Sequence, residues 1–385
     1  WTFDEEAKLW TKESGQTVEE LQFRLATANA ETFQRVATRL APEANYHLTF
    51  LPRIAPWLLA YRAWSSPQRL IETAKLMRPL FAQALAEHEA LMAESGADRY
   101  LRKTGWLKLY RSGDTFGETK RERRVADDFG LAYRVLDTDG ARALEPALAP
   151  VFRHAVLWED SASLSNPLAV TQAYAQRFVQ LVGRLVKGDV MTLRRSALAC
   201  RVETSEGGIE AGHAVIALGP WTNDLLRGVR LRLPLAVKRG YHRHYRPRGD
   251  ASLARPVFDA EGGYVLAPME QGIRLTTGAE FADRDAAPTP VQFGRIMPSA
   301  KQLFPLGAAV EAKPWMGSRP CLPDSRPVIG QAPGHPWLWI AAGHAHWGLT
   351  LGPVTGRLVA EMMSGATPFC DPAPYRAERF GPLRV

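Results

Sequence analysis

Cysteine is scarce in this chain: Cys200, Cys321 and Cys370 are the only three among 385 residues, and no two stand at a metal-binding or disulfide-like spacing. That argues against a disulfide scaffold or a cysteine-built zinc site and fits a reducing compartment. Long hydrophobic runs are missing too, since no stretch approaches the roughly 20 apolar residues that cross a bilayer. The opening segment, WTFDEEAKLW, is acidic and does not read as a secretory signal. There is no internal repeat, no low-complexity tract, and no basic stripe interleaved with aromatics of the kind nucleic-acid binding uses. The expectation from these features is a cytoplasmic chain, at most peripheral to the inner membrane, with no transmembrane segment and no nucleic-acid partner.

What is present is ordinary globular material. Apolar residues make up 46% and charged residues 23% of a chain long enough for two domains. The net charge of +8 comes from scattered arginines, as in RSGDTFGETKRERR and RHYRPRGD. A basic surface of this kind attracts anionic substrates or an anionic membrane face.

Along the chain, residues 1–43 read as helix. Thr17 and Glu20 form a capping box, and Val18, Leu21, Leu25, Ala28, Phe33, Val36 and Leu40 follow at helical spacing until Pro42. HLTFLPRIAPWLLAYRAW is rich in large apolar residues and broken by Pro52 and Pro56. A long helix follows, started by Ser66-Pro67, kinked at Pro79 and stopped at Gly96. GWLKLYRSG and LAYRVLD read as strands, and ARALEPAL as a short helix. A helix capped by Asn166 with Pro167 at its first position comes next. RLVKGDV and GHAVIALG are short strands, the second with the unbroken apolar character of a strand buried on both faces. Paired strands fill 231–280, with a hairpin turn at Glu270-Gln271-Gly272, and TPVQFGRIMPSAKQLFP returns to helix.

Near the end stands AAGHAHWGLTLGPVTGRLVAEMM, after the strand PWLWIAAG. Gly343, Gly348, Gly352 and Gly356 clear side chains from the place where a helix begins. A helix N-terminus offers free N–H groups and partial positive charge to an electron-rich ligand atom. Glycine lets such a ligand approach the backbone itself. Tight strand–helix packing with nothing bound is the other reading of the same residues.

GHAHWGLTLGPVTGRLVAEM closely resembles the C-terminal flavin-contacting segment of the amino-acid oxidase family of flavoproteins, most nearly its bacterial D-amino-acid dehydrogenases and glycine oxidases. VIALGPWTNDLL, KGDV, GGYVLAPMEQGIRLTTGAEF and MGSRPCLPDSRPVIG resemble further family segments in the expected order, so the likeness runs from about Glu43 to Phe380. It implies an α/β FAD-binding, Rossmann-like domain interleaved with an α+β, antiparallel-sheet substrate domain. The pieces would be a helical segment at 1–43, a helical and substrate-domain part at 44–157, and an FAD-domain part at 158–230. The antiparallel substrate-binding domain would take 231–318 and the last FAD-domain part 319–385.

The resemblance also implies roles. Arg319 would clamp the substrate carboxylate in bidentate fashion, with Tyr264 adding a hydroxyl donor. The Val190 backbone would hold the adenine, while Gly219 and Trp221 lie along the cofactor. Gly343, His344, Gly348, Leu349 and Thr350 would surround the flavin ring. His346 stands where glycine oxidases tend to show arginine; it would hydrogen-bond substrate, titrate near neutral pH or simply pack. His242 and His244 alternate on one strand, facing either the substrate cavity or solvent, with solvent the favoured reading. The implied reaction is oxidative deamination of an amino acid, with the D enantiomer the favoured reading, to a keto acid and ammonia, with electrons passing to oxygen or a quinone.

One family element is absent. Residues 1–43 hold no G-x-G-x-x-G turn and a single glycine, Gly15. Three accounts follow: the native N-terminus differs from the one printed, a partner subunit supplies the missing dinucleotide-binding half, or the chain is a flavin-free binding or scaffold homologue.

Overall fold

The computed structural model describes residues 2–4, 9–11, 44–196 and 199–383. Thr2–Asp4 (β1) and Leu9–Thr11 (β2) pair antiparallel, which corrects the helical expectation for those six residues. The capping box at Thr17 and the apolar stripe behind it lie outside the described residues.

Two helices follow Ala44–Tyr46 (β3). Leu51–Trp64 (α1) takes Pro52 in its first turn, where a missing N–H costs nothing, and buries Ile54 and Trp57. Pro67–Ser95 (α2) continues through Pro79 and stops at Gly96, whose φ of 68° is the left-handed cap glycine tolerates best. Its buried stripe is Met77, Leu80, Ala84, His88 and Met92, three to four residues apart.

The large sheet contains Trp106–Tyr110 (β4), Tyr133–Asp137 (β5) and His154–Trp158 (β6). Asn166 caps Pro167–Gln180 (α3) by accepting the Ala169 N–H at 3.0 Å. Gly188–Arg195 (β7), Cys200–Thr204 (β8) and Gly207–Ala211 (β9) form a small antiparallel sheet of their own, and Ala214–Ile216 (β10) belongs to another. The large sheet resumes with Ala236–Pro247 (β11), Val257–Asp259 (β12), Tyr264–Met269 (β13) and Gly272–Phe281 (β14). The β13–β14 hairpin turns where the sequence predicts, with Met269 paired to Gly272. Val291–Leu303 (α4), Leu306–Ala309 (β15) and Trp315–Cys321 (β16) complete that half.

In the large sheet the strands run β15-β11-β14-β13-β12-β4-β6-β5, with β16 also on β11 and β3 on β14. α4 packs Ile296, Ala300 and Leu303 against one face, over Leu107, Leu266 and Leu275. The other lobe holds Val328–Ala332 (β17), His335–Ala342 (β18) and the helix Gly352–Ser364 (α5). β10 pairs parallel with β18, aligning Val215 with Trp339, and β17 pairs antiparallel on the far side of β18. The expectation that β10 is buried on both faces is corrected: Ile216 is 3% exposed but Val215 is 43% exposed, because Val215 faces a cavity. α2 seals this lobe, setting Met77, Leu80 and Ala84 against Trp347, Leu351 and Leu358.

Candidate functional site

The two lobes enclose a cavity of about 730 Å³, between β10, β18 and α5 on one side and β11, β14 and β16 on the other. β18 ends at Gly343, where φ is +81° and a Cβ would lie under 3.0 Å from the Leu322 side chain. Both facts require glycine there. His344 then bridges to Cys321, and its Nε2 lies 3.0 Å from Thr355 Oγ1, tying the turn to the first turns of α5. Gly352 and Gly356 line the cavity from α5, and a Cβ on either would meet nothing within 4 Å. They leave open space, not room for a packed neighbour.

From α2, His88 Nε2 sits 2.9 Å from the Leu349 carbonyl and Nδ1 2.9 Å from the Tyr174 hydroxyl of α3. A carbonyl only accepts, so Nε2 carries the proton in the neutral ring. One buried imidazole thus holds the turn between two helices.

Across the cavity, Arg319 on β16 donates from Nη1 to the Gly278 carbonyl at 2.8 Å. Its guanidinium lies flat against Gly240 of β11, where a Cβ would come under 3.0 Å from Cζ and both terminal nitrogens. Gly240 has no unusual φ, so the glycine serves this approach alone. Among the described residues, no carboxylate pairs with Arg319.

Around it are three histidines. His242 lines the cavity, stacked on Trp315 at 5.1 Å with 14° between planes. Burial, with Arg274 close by, pushes its pKa down to about 3, so it is neutral at pH 7. His244 is buried; its Nε2 accepts from Arg274 Nε at 3.0 Å, and its Nδ1 meets the Glu311 carboxylate. Those partners fix the neutral tautomer with the proton on Nδ1. Neither histidine faces bulk solvent, which corrects the favoured expectation. His346 also lines the cavity, and its buried Nε2 has no hydrogen-bond partner. Burial, followed by Arg319 and Lys238, holds it well below the usual histidine range, so it does not titrate near neutral pH as one reading had it.

The cavity therefore brings together Arg319 and His346 with Gly219, Trp221, Gly343, His344, Gly348 and Leu349. Three expected members stand elsewhere. The Tyr264 hydroxyl donates to Asp259 at 2.9 Å inside the core under α4, because its strand position faces that helix. Val190 lies exposed on β7, outside the cavity wall, and Thr350 is likewise not part of that wall. Gly240, His88, Lys238 and Arg274 went unread in the sequence, since no motif marks a residue whose partner is distant in the chain.

The profile of FAD dependent oxidoreductases matches residues 19–362. The chain belongs to this family. Among its relatives, the D-amino-acid oxidase of Bradyrhizobium diazoefficiens is 29% identical over 339 residues, covering 86% of this chain and 80% of that one. The glycine oxidase of Pseudomonas putida is 30% identical, covering 75% of this chain and 78% of its own length. The crystal structure of glycine oxidase from Geobacillus kaustophilus superposes with a TM-score of 0.69 at 25% identity, covering 82% of this chain and 84% of that one. The mixed fold of this FAD-dependent oxidoreductase is thus that of the glycine oxidases.

Its cofactor is FAD, and the cavity fits the flavin end of that molecule. Gly352 and Gly356 open the α5 face to a flat ring, while the first turn of α5 has its Gly352 N–H taken by the Leu349 carbonyl at 3.1 Å and a proline, Pro353, next. Among the described residues there is no G-x-G-x-x-G turn after β10 or β18.

Proposed function

We propose that this FAD-dependent oxidoreductase oxidises the amino-bearing carbon of a D-amino acid, giving a keto acid and ammonia. The observation that carries the reading is Arg319, a cation that no carboxylate pairs with among the described residues, facing a glycine-cleared helix entrance across one cavity. A planar guanidinium receives a carboxylate by two parallel hydrogen bonds, which fixes the carbon next to it. Gly219, Trp221, Gly343, His344, Gly348 and Leu349 are the residues that would hold the flavin, and His346 would touch the substrate.

FAD supplies the two-electron acceptor for the hydride leaving that carbon. The protein's share is placement and exclusion of water. Arg319 sets the carboxylate, Gly240 lets Arg319 lie flat, and Trp315 with His242 forms an apolar, uncharged wall. No general base is required of the side chains; the imine is hydrolysed by water to the keto acid and ammonia. Electrons would then pass to oxygen or a quinone, and a partner subunit is a further proposal for the dinucleotide half. Among the described residues, no helix is long and apolar enough to cross a membrane.

The test is the visible spectrum of the purified chain with and without added FAD, followed by D- and L-amino-acid assays with an artificial acceptor. Flavin bands and amino-acid-dependent reduction are expected. Arg319→Ala should lower kcat/KM by roughly a hundredfold or more, the loss of about 3 kcal/mol of charged hydrogen bonding. A chain that stays colourless in excess FAD would favour the scaffold reading instead.

A further inference from the structure

Pro220 and Trp221 line the cavity from the β10 lobe, yet the side chain that holds them comes from the other lobe. Arg284 stands in the loop 282–290 between β14 and α4, and it does not line the cavity itself. Its Nη1 donates to the Pro220 carbonyl at 3.3 Å and to Asp224 Oδ2 at 2.6 Å. Its Cζ stands 5.5 Å from the centroid of the Trp221 ring. Asp224 belongs to the short helix Thr222–Gly228, which packs Leu225 and Leu226 beside Ile216 and Ile340. One guanidinium thus ties a carboxylate, a carbonyl and an aromatic ring of one lobe to a loop of the other.

The two ends of this tie differ in strength. The loop is held to its own lobe by Arg239 of β11, which is fully buried. Arg239 donates to the Asp283 carbonyl at 3.3 Å, to the Ala287 carbonyl at 3.0 Å and to the Ala286 carbonyl. Glu280 meets its charge at 2.7 Å, and the Tyr241 hydroxyl accepts the Thr289 N–H at 2.9 Å. Buried bonds to a charged donor are costly to break. Across the gap, Arg284 is 23% exposed and Asp224 30%, and each has a second partner. Asp285 takes Arg284 at 2.8 Å, and Arg227 stands 3.6 Å from Asp224. A partly exposed pair with competing partners is weak and is screened by salt. The loop therefore keeps its shape while the contact between lobes parts and re-forms.

Resting on the assignment of FAD to this cavity, we propose that Arg284 is a positioning residue for the cofactor. Through Asp224 and Trp221 it clasps the two lobes and sets how slowly FAD leaves. Parting the clasp frees the Gly219–Trp221 segment from the 282–290 loop, and that segment holds two of the residues assigned to the flavin. Neither Arg284 nor Asp224 lines the cavity, so the effect on the cofactor passes through Trp221 and Pro220.

The test follows FAD release from the loaded protein after dilution, read as the rise of free-flavin fluorescence. It is run at low salt and in about 1 M sodium chloride, where charges more than about 3 Å apart are screened. Asp224→Asn and Arg284→Met should each speed release roughly three- to tenfold at low salt. Wild-type release should quicken with salt more than release from either variant, because only the wild type has a pair to screen. Arg284→Lys, which keeps the charge without the planar fork, should fall between wild type and Arg284→Met. The double variant Asp224→Asn/Arg284→Met should release FAD no faster than Arg284→Met alone, as two ends of one contact. The denaturant midpoint of the FAD-free variants should stay at the wild-type value. Wild-type release rates in both single variants, or additive effects in the double variant, overturn this inference and leave the amino-acid reading intact. A midpoint that falls in step with retention makes the pair a fold contact and overturns it as well. A wild-type chain that takes up no FAD overturns both.

Discussion

Arg319 and Tyr264 show how side-chain chemistry and side-chain placement separate at the residue scale. Both have groups that could hold a carboxylate, but only the guanidinium reaches the cavity. Tyr264→Phe should therefore leave KM unchanged and cost about 1 kcal/mol of stability, read from a denaturant midpoint, because it removes one buried hydrogen bond while Asp259 keeps its pair with Arg111 at 2.7 Å. A raised KM in that variant would return the tyrosine to the substrate. Gly240→Ala tests the opposite residue. Its backbone tolerates alanine, yet the new methyl must push the Arg319 guanidinium aside. KM should rise at least tenfold while the unfolding midpoint moves little. Nothing in GYHRHY signals this, since the clash is with a residue 79 positions later on a neighbouring strand.

At the scale of elements, the strand–turn–helix around 335–364 is where local sequence and function oppose each other. Glycine inside a helix is unfavourable by roughly 0.5–1 kcal/mol relative to alanine. Gly356 sits inside α5 with nothing near its missing Cβ, so Gly356→Ala should stabilise the chain by about that amount. The same methyl would enter the cavity. The expected result is a higher melting temperature with weaker FAD retention, measured by dialysis and absorbance. Equal FAD retention would mean that the ring does not approach α5 there. The element itself was legible in the sequence: an apolar strand, glycines where a helix begins and apolar residues at helical spacing. So were the Asn166 cap, the Gly96 stop and the β13–β14 hairpin, because each depends on residues within a few positions.

For the molecule as a whole, burial of neutral histidines between lobes couples stability to acidity. His242 has an ordinary value of 6.5 and a folded value of about 3, so between those limits the unfolded chain binds more protons. Its contribution is fully present above about pH 6.5 and is lost as pH falls toward 3. His244 and His346 are shifted in the same direction, for the same first reason, burial. The melting temperature should fall between pH 7 and pH 5, and less steeply in His242→Gln. An identical slope in that variant would mean the imidazole is not desolvated in the folded protein.

By itself the sequence determined the local elements and, through ordered motifs, the family with its α/β and α+β halves. It also placed Arg319, His346 and the glycines of the C-terminal turn on the site, because those residues stand in or beside contiguous motifs. Tertiary structure alone decided which of the other chemically suitable groups share the cavity. Tyr264 leaves it because a strand alternates its faces and that face meets α4, and the His242 and His244 rings turn inward because β16 and Glu311 cover them. Gly240 gains its meaning only when β11 pairs with β16. Strand register across some 80 residues is a cooperative property of the packed sheet, and no local pattern encodes it.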